Sequence, residues 1–231
     1  MPVDFALIAA VRTALDARAD PIRATGQQAY MKSVMPYRGL TAPALRSVLR
    51  AVFAAHELAD RAAWTATVRA LWDEATFREE RYAAIALVRL PEHRRWATEP
   101  SVVPLIRHMI VTGAWWDYVD DLAAHCVGPV LAAHPEQARG LRAWAPDDDL
   151  WLRRTAILAQ LHFAADTDRQ LLVDCIEPNL ADREFFIRKA IGWALRQFAR
   201  TDPGWVAAAA AEWGDRLSPL SRREALKHLS S

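Results

Sequence analysis

The amino-acid sequence predicts an all-α protein, an array of helical pairs. Three observations support this fold class. Apolar residues recur at helical spacing from end to end, only 8 glycines occur in 231 residues, and no segment shows the apolar–polar alternation of a half-buried strand. Since 52% of the residues are apolar, the chain can bury a sizeable core. We expect a single domain over residues 1–231.

Breaks in the helical periodicity coincide with residues that begin helices. Thr41, Asp202 and Ser218 each stand one or two positions before a proline, a pattern typical of helix N-termini. The segment 20–41, which contains several prolines and glycines, is expected to be part helix and part loop. The predicted helices are 3–18, 42–55, 60–73, 78–90, 101–112, 115–133, 136–143, 147–163, 167–176, 182–199, 203–213 and 219–229.

A weak internal repeat runs through these helices. The pattern R-x-A-[A/I] begins at Arg81, Arg154 and Arg188, at separations of 73 and 34 residues. A period of about 35 to 40 residues with two helices per unit is typical of α-solenoids such as HEAT repeats, here about six pairs. One helix of each pair then lines a concave surface, where we expect Arg154, Arg188 and Lys189. Chance similarity among alanine-rich helices is the alternative.

Composition excludes several classes of protein. The formal net charge is +1, so the whole-chain balance neither favours nor opposes nucleic acid binding. Cys126 and Cys175 lie in apolar helical contexts, as reduced core thiols of cytoplasmic proteins do. The N-terminus lacks the pattern of a signal peptide, and no apolar run reaches the roughly 18 residues that span a membrane. No histidine or cysteine spacing predicts a metal site.

The segment 115–133, drawn as a helix, places two tryptophans differently. Trp115 begins the apolar stripe that continues through Val119, and packing in the core explains it. Trp116 and Asp120 lie one turn apart on the adjacent stripe. One interpretation is a pocket that stabilises positive charge. The alternative is that Trp116 packs on a neighbouring helix while Asp120 pairs with an arginine.

Two further helices carry unusual residues. In the helix 182–199, Trp193 lies outside the core stripe and follows Gly192, which costs roughly 1 kcal/mol relative to alanine in a helix interior. Such a glycine indicates the close approach of another group, and tight helix packing is the bland explanation. In the helix 147–163, Trp151 and Arg154 are one turn apart. An arginine braced by an aromatic ring suits a phosphate contact, whereas most such arginines make surface ion pairs.

Five segments, in this order and at about this spacing, resemble the bacterial HEAT-like-repeat alkylpurine DNA glycosylases of the AlkD type. The resemblance covers the chain from about Tyr30 to the C-terminus, and it rests on the set, because no single segment is decisive. The segments are YMKSVMPYRGLTAP (30–43), WWDYVD (115–120), LWLRRTAIL (150–158), EFFIRKAIGWALR (184–196) and LSPLSRREALKHL (217–229).

The resemblance implies a right-handed α-solenoid of HEAT-like helical pairs, curved, with a concave face that binds duplex DNA. It implies hydrolysis of the N-glycosidic bond of cationic N3- and N7-alkylated purines, without obligatory base flipping. Trp116, Asp120 and Trp193 match the cleft residues at the lesion deoxyribose. Arg154 matches an arginine of the DNA-binding face, and Tyr30 an aromatic near the same cleft. A monomer acting on double-stranded DNA, with no cofactor, metal or membrane, is expected.

The residue types fit that chemistry. A cationic purine leaves without a general acid, and charge then develops on the sugar as an oxocarbenium ion. A carboxylate such as Asp120 can stabilise that ion and orient water, while the faces of Trp116 and Trp193 add cation–π stabilisation. Two alternatives stay open: a non-catalytic HEAT-repeat protein that binds distorted or branched DNA, and a protein-interaction scaffold.

Overall fold

The computed structural model describes residues 2–229, which contain α-helices joined by short turns and no β-strand. The chain divides between Ala97 and Thr98 into two compact units. In each unit helices that lie close together in the sequence, though not always consecutive, pack against one another, as in an α-solenoid. The all-α fold class is confirmed. That both units form a single domain of about six pairs stays a prediction.

Residues 2–97, the described part of the first unit, contain six α-helices. Helix α1 packs against α3, α4 and α5, and α4 and α5 pack on each other over the fully buried rings of Trp64 and Trp72. The segment expected to be mixed is indeed a helix followed by a loop. The helices are α1 (Phe5–Asp16), α2 (Pro21–Met31), α3 (Ala42–Ala54), α4 (Arg61–Asp73), α5 (Arg78–Val88) and α6 (Arg94–Ala97).

A buried carboxylate cluster fixes the loop between α2 and α3. Glu79 accepts the backbone N–H groups of Arg38, Gly39 and Leu40, and Glu80 pairs with the Arg38 guanidinium at 2.8 Å. Gly39 has φ of 92°, and a Cβ there would lie 2.1 Å from the carbonyl oxygen of Asp20. These contacts set where α2 ends and the chain turns back to α3.

In the second unit nine α-helices lie within the described residues 98–229. Helix α11 lies at its centre and contacts α7, α8, α10, α12 and α13, while α13 is covered by α14 and α15. The helices are α7 (Val103–Gly113), α8 (Trp116–Leu122), α9 (Gly128–Ala133), α10 (Ala138–Trp144), α11 (Leu150–Leu158), α12 (Arg169–Ile176), α13 (Phe185–Phe198), α14 (Pro203–Trp213) and α15 (Pro219–Ala225).

The predicted helix starts are confirmed by their caps. The side chains of Thr41, Asp202 and Ser218 each accept the backbone N–H three residues later. The predicted helix 115–133 is present, but a π-helical turn, Ala123–Val127, separates α8 from α9. Such insertions are frequent at functional sites. The predicted helices 147–163 and 219–229 are shorter than expected, because turns follow Leu158 and Ala225.

Within the described residues no helix is long and apolar enough to cross a membrane. Cys126 and Cys175 are buried, and burial raises the pKa of the Cys175 thiol to about 12. Both cysteines therefore act as small apolar core residues.

Candidate active site

Three helices of the second unit, α8, α11 and α13, carry the residues of the candidate active site. Helix α11 lies between the other two and packs against both. Helix α8 begins at Trp116, so Asp120 stands one turn later on the same side. The next residues form the π-helical turn, whose Ala123 and Val127 are buried. Asp120 therefore lies near the C-terminal end of a short α-helix, just before a buried π-helical turn.

Asp120 is paired with Arg154 of α11 in a bidentate arrangement. Arg154 Nε lies 2.7 Å from Asp120 Oδ1, and Arg154 Nη2 lies 2.8 Å from Oδ2. Nη1 of Arg154 donates to the backbone carbonyl of Phe186 on α13. One guanidinium thus joins all three helices, and fork-to-fork geometry fixes the plane of the carboxylate.

The pair is largely shielded from solvent. The Asp120 side chain is 14% exposed, and Arg154 as a residue is 5% exposed. Burial raises the pKa of Asp120, and it outweighs the opposing hydrogen bond and charge of Arg154; the charges of Asp117 and Asp121 raise it further. The Asp120 carboxylate is therefore desolvated, lies near the charges of Asp117 and Asp121, and is paired with Arg154.

The structure makes Arg154 the counter-ion of Asp120. All three nitrogens of its guanidinium donate to protein acceptors, and the side chain is buried. Asp120 therefore pairs with an arginine, as one of the two interpretations of the sequence expected. That Arg154 binds DNA stays a prediction.

An aromatic cluster supports the site from one side. Trp115, Trp151 and Phe186 pack with ring centroids between 5.2 and 6.2 Å apart. Trp115 is only half-buried, yet its indole Nε1 is buried without a hydrogen-bond partner among the described residues. The packing role predicted for Trp115 is met by this cluster, and Phe185, 53% exposed, extends the cluster to the surface.

Trp116 and Trp193 lie at the surface of the unit rather than in its packed interior. Both are partly exposed, whereas Tyr118 and Val119 beside Trp116 are fully buried. Trp193 stands on α13 between residues that pack in the core. That both indoles face one substrate sugar together with Asp120 stays a prediction.

Gly192 allows two helices to pack closely, which was one of the two explanations offered for it by the sequence. A Cβ at this position would lie 2.5 Å from Cβ of Glu224 and 3.0 Å from the carbonyl oxygen of Ser221. Ser221 also donates a hydrogen bond to the Arg188 carbonyl oxygen at 2.8 Å. The glycine therefore lets α15 lie directly against α13, one residue before Trp193.

The predicted DNA-binding cations occupy different surroundings. Lys189 lies 3.1 Å from Glu224, which also pairs with Arg196 at 2.5 Å. Arg188 is half-buried, and its Nε is buried with no hydrogen-bond partner within residues 2–229. Tyr30 belongs to the first unit, where it is the penultimate residue of α2 and is 79% exposed. Lys189 is therefore paired with a carboxylate of α15, whereas the Nε–H group of Arg188 makes no hydrogen bond within residues 2–229.

Sequence reasoning missed the residues that hold these side chains. Glu224 pairs with two cations of α13, and it is distant in sequence from both. The acceptor on Phe186 is a backbone carbonyl, so no pattern of side chains in the sequence could predict its contact with Arg154. The i, i+4, i+7 spacing of Lys189, Trp193 and Arg196 on one face of α13 was available as a signal and places cations on both sides of the indole.

Comparison with known proteins shows the family of the chain. The family model of the DNA alkylation repair enzymes matches residues 11–229. A solved structure described as a predicted DNA alkylation repair enzyme from Enterococcus faecalis is similar, with 30% identity and a TM-score of 0.82 over 92% of this chain and 97% of that chain. A comparison with curated proteins found no match. By sequence and by fold, the chain belongs to the family of DNA alkylation repair enzymes.

Proposed function

We propose that this protein is a DNA glycosylase that hydrolyses the N-glycosidic bond of cationic N3- and N7-alkylated purines in duplex DNA. The observation that carries the proposal is the shielded, bidentate Asp120–Arg154 pair. Trp116 precedes Asp120 by one turn on α8, and Trp193 lies on α13, the helix whose Phe186 carbonyl accepts from Arg154. Desolvated carboxylates of this kind are costly to build and are typical of reaction sites.

In the Asp120–Arg154 pair the carboxylate can still accept further hydrogen bonds. A carboxylate offers about four lone-pair directions, and Arg154 occupies one on each oxygen. One lone pair on each oxygen remains, enough to orient a water and to face a cationic C1′ atom. Because α11 fixes Arg154 and Arg154 fixes the carboxylate, little reorganisation is needed when charge develops.

The leaving group explains why no general acid is required. An N3- or N7-alkylated purine already carries positive charge, so breaking the bond transfers that charge to the deoxyribose. Asp120 then stabilises the oxocarbenium ion, and water attacks C1′ and loses one proton to Asp120, which passes it to solvent. The products are an abasic site and the neutral base. Trp116 and Trp193 contribute about 0.5–2 kcal/mol each if their faces contact the sugar.

The mechanism needs no covalent enzyme–DNA intermediate. Among the residues of α8, α11 and α13 the lysine is Lys189, which pairs with Glu224 at 3.1 Å. We therefore propose a monofunctional hydrolase that acts as a monomer on double-stranded DNA.

The direct experiment is release of 7-methylguanine from a methylated duplex by the purified protein under single-turnover conditions. Base release with intact phosphodiester bonds supports the proposal. Tight binding to the same duplex without base release would instead favour a non-catalytic protein that binds distorted or branched DNA. Absence of DNA binding would leave the scaffold alternative.

A further inference from the structure

An ion pair between Arg153 and Asp182 joins the beginnings of α11 and α13 in the second unit. Arg153 precedes Arg154 on α11, and its Nη2 donates to Oδ2 of Asp182 at 3.0 Å. Nη1 of the same guanidinium donates to the backbone carbonyls of Asp147 and Asp148, at 2.8 and 3.1 Å, in the loop before α11. Arg153 therefore bonds both to the start of its own helix and to the turn that leads into α13.

Asp182 in turn fixes the start of α13. Its second oxygen, Oδ1, accepts the backbone N–H of Glu184 at 2.7 Å, and Glu184 is the residue directly before the first turn of the helix. The side chain of Glu184 itself makes no capping hydrogen bond. One oxygen of Asp182 thus bonds to α11 and the other to the beginning of α13, so this carboxylate sets the two helices relative to each other.

The Arg153–Asp182 pair is more shielded than an ordinary surface ion pair. The two side chains are 17% and 18% exposed, whereas those of the Arg142–Asp174 pair, between α10 and α12, are 42% and 28% exposed. Exposed ion pairs contribute little to stability, since water and salt screen them. The shielding and the three hydrogen bonds of Arg153 therefore favour a fixed contact between the helices.

Arg154, the next residue of α11, bonds to the same part of α13 at a second point. Its Nη1 donates to the backbone carbonyl of Phe186, and the ring of Phe186 packs on Trp151 of α11 at 5.2 Å between centroids. Consecutive residues of a helix point about 100° apart, so the two arginines contact the segment 182–186 at separate places. A shift of this segment relative to α11 would move the carbonyl that Arg154 binds, and Arg154 holds both oxygens of Asp120.

We propose that Arg153 and Asp182 are positioning residues for the reaction: they fix the first turn of α13 on α11 and so keep Arg154 in the arrangement that orients the Asp120 carboxylate. Neither residue needs to contact DNA or the reacting atoms, because both act through Arg154. A misplacement of about 1 Å that originates away from the chemistry costs an enzyme up to about a hundredfold in rate. The effect on the rate rests on the proposed function, whereas the effect on the Asp120–Arg154 pair rests on the hydrogen bonds alone.

The test compares Arg153→Met and Asp182→Ala, which both break the pair but change the net charge in opposite directions. The pKa of Asp120 is measured by NMR titration of the aspartate carboxyl carbons, with Asp120→Asn to assign the resonance. The hydrogen bond and charge of Arg154 lower this pKa, so a less firmly held Arg154 should leave it higher in both variants. A mere change of net charge would raise the pKa of Asp120 in Arg153→Met and lower it in Asp182→Ala.

The charges that act most on the pKa of Asp120 belong to three side chains, none of which the variants replace. They are Arg154 of α11 and Asp117 and Asp121 of α8. A change of the pKa in the same direction in both variants therefore reports a change in how Arg154 is held.

Single-turnover release of 7-methylguanine measures the effect on the reaction. Both variants should release the base about tenfold more slowly than the wild type, with duplex affinity within about twofold, because the loss concerns orientation and not binding. Arg142→Met is the matched control: it breaks the Arg142–Asp174 pair of the same unit and changes the net charge as Arg153→Met does. It should keep the wild-type rate and the wild-type pKa of Asp120.

Each outcome decides the inference. An unchanged pKa of Asp120 in both variants overturns it, as do shifts in opposite directions or an equal shift in Arg142→Met. If Arg153→Met does not fold, Asp182→Ala alone decides, because its change of charge acts against the expected shift. A raised pKa with the wild-type rate of release overturns the role in the reaction. A wild-type protein that releases no base rejects the proposed function, while a raised pKa in both variants still shows that the pair positions Arg154 and Asp120.

Discussion

The burial of Asp120 and the burial of Arg154 are each explained by the opposite charge of the other residue. The carboxylate is costly to bury, and the arginine stabilises it with two hydrogen bonds while bonding a third element through the Phe186 carbonyl. Replacing one partner leaves the other charge buried and unpaired, which typically costs about 3–5 kcal/mol. Loss of activity and loss of stability must therefore be separated for either residue.

Asp120→Asn should remove most base excision and leave DNA affinity nearly unchanged, because the acid acts on developing charge rather than on phosphate. It should change the free energy of unfolding less than removal of Arg154 does, because the raised pKa shows that burial already favours the neutral side chain at this position. Single-turnover release of 7-methylguanine, DNA affinity and urea unfolding measure the three effects. The double variant Asp120→Asn/Arg154→Met should regain stability but no activity; full excision by either protein contradicts the role of Asp120.

The pH dependence of excision should reflect the raised pKa of Asp120. The chemistry needs the ionised carboxylate, so the rate should fall as pH decreases through that raised pKa, at a higher pH than for an ordinary aspartate. Because burial favours the protonated form in the folded state, the contribution of Asp120 to stability should decrease as pH rises from the ordinary pKa through the raised one. Asp121→Asn removes a charge that raises the pKa and should move the acid limb of the rate profile to lower pH. A shift in the opposite direction would contradict this assignment.

At the scale of elements, the helices could be predicted from the sequence and their contacts could not. Apolar spacing and caps located the helices, because both are local properties of the chain. The ion pair of Arg154 with Asp120 and that of Lys189 with Glu224 depend on which helices become neighbours. The π-helical turn after α8 has no local signal either, since it accommodates packing against α7 and α11.

Gly192 and Gly140 provide a matched pair of glycines in helices. Gly192→Ala places a methyl group against Glu224 and Ser221, so the protein should lose about 1–3 kcal/mol of stability despite the better helix propensity of alanine. Gly140→Ala on α10 meets no atom within 4 Å and should gain up to about 1 kcal/mol. Thermal unfolding of both variants gives the comparison. Equal stabilisation by the two substitutions would show that α15 does not pack on α13 as described.

At the scale of the whole molecule, DNA binding must come from local cations, because the net charge is only +1. The family match extends from residue 11 to residue 229 and so includes both units. The guanidinium of a buried arginine such as Arg154 bonds to protein acceptors and is shielded from DNA phosphates. A partly exposed cation such as Lys189 can instead exchange its protein carboxylate for a phosphate. Salt dependence distinguishes these two classes of cation, since each phosphate neutralised adds about 0.9 to the slope of log K against log salt concentration.

Lys189→Gln should therefore reduce the salt slope of duplex binding by about 0.9, whereas Arg154→Gln should leave that slope unchanged and reduce excision. Affinities are best measured on a methylated duplex between 50 and 200 mM salt, a range in which a few phosphate contacts change binding by orders of magnitude. Arg139→Gln controls for a change of net charge away from the site helices. If Arg154→Gln flattened the slope while Lys189→Gln did not, Arg154 would have to leave Asp120 for a phosphate when DNA binds, and the counter-ion assignment would apply to the free protein alone.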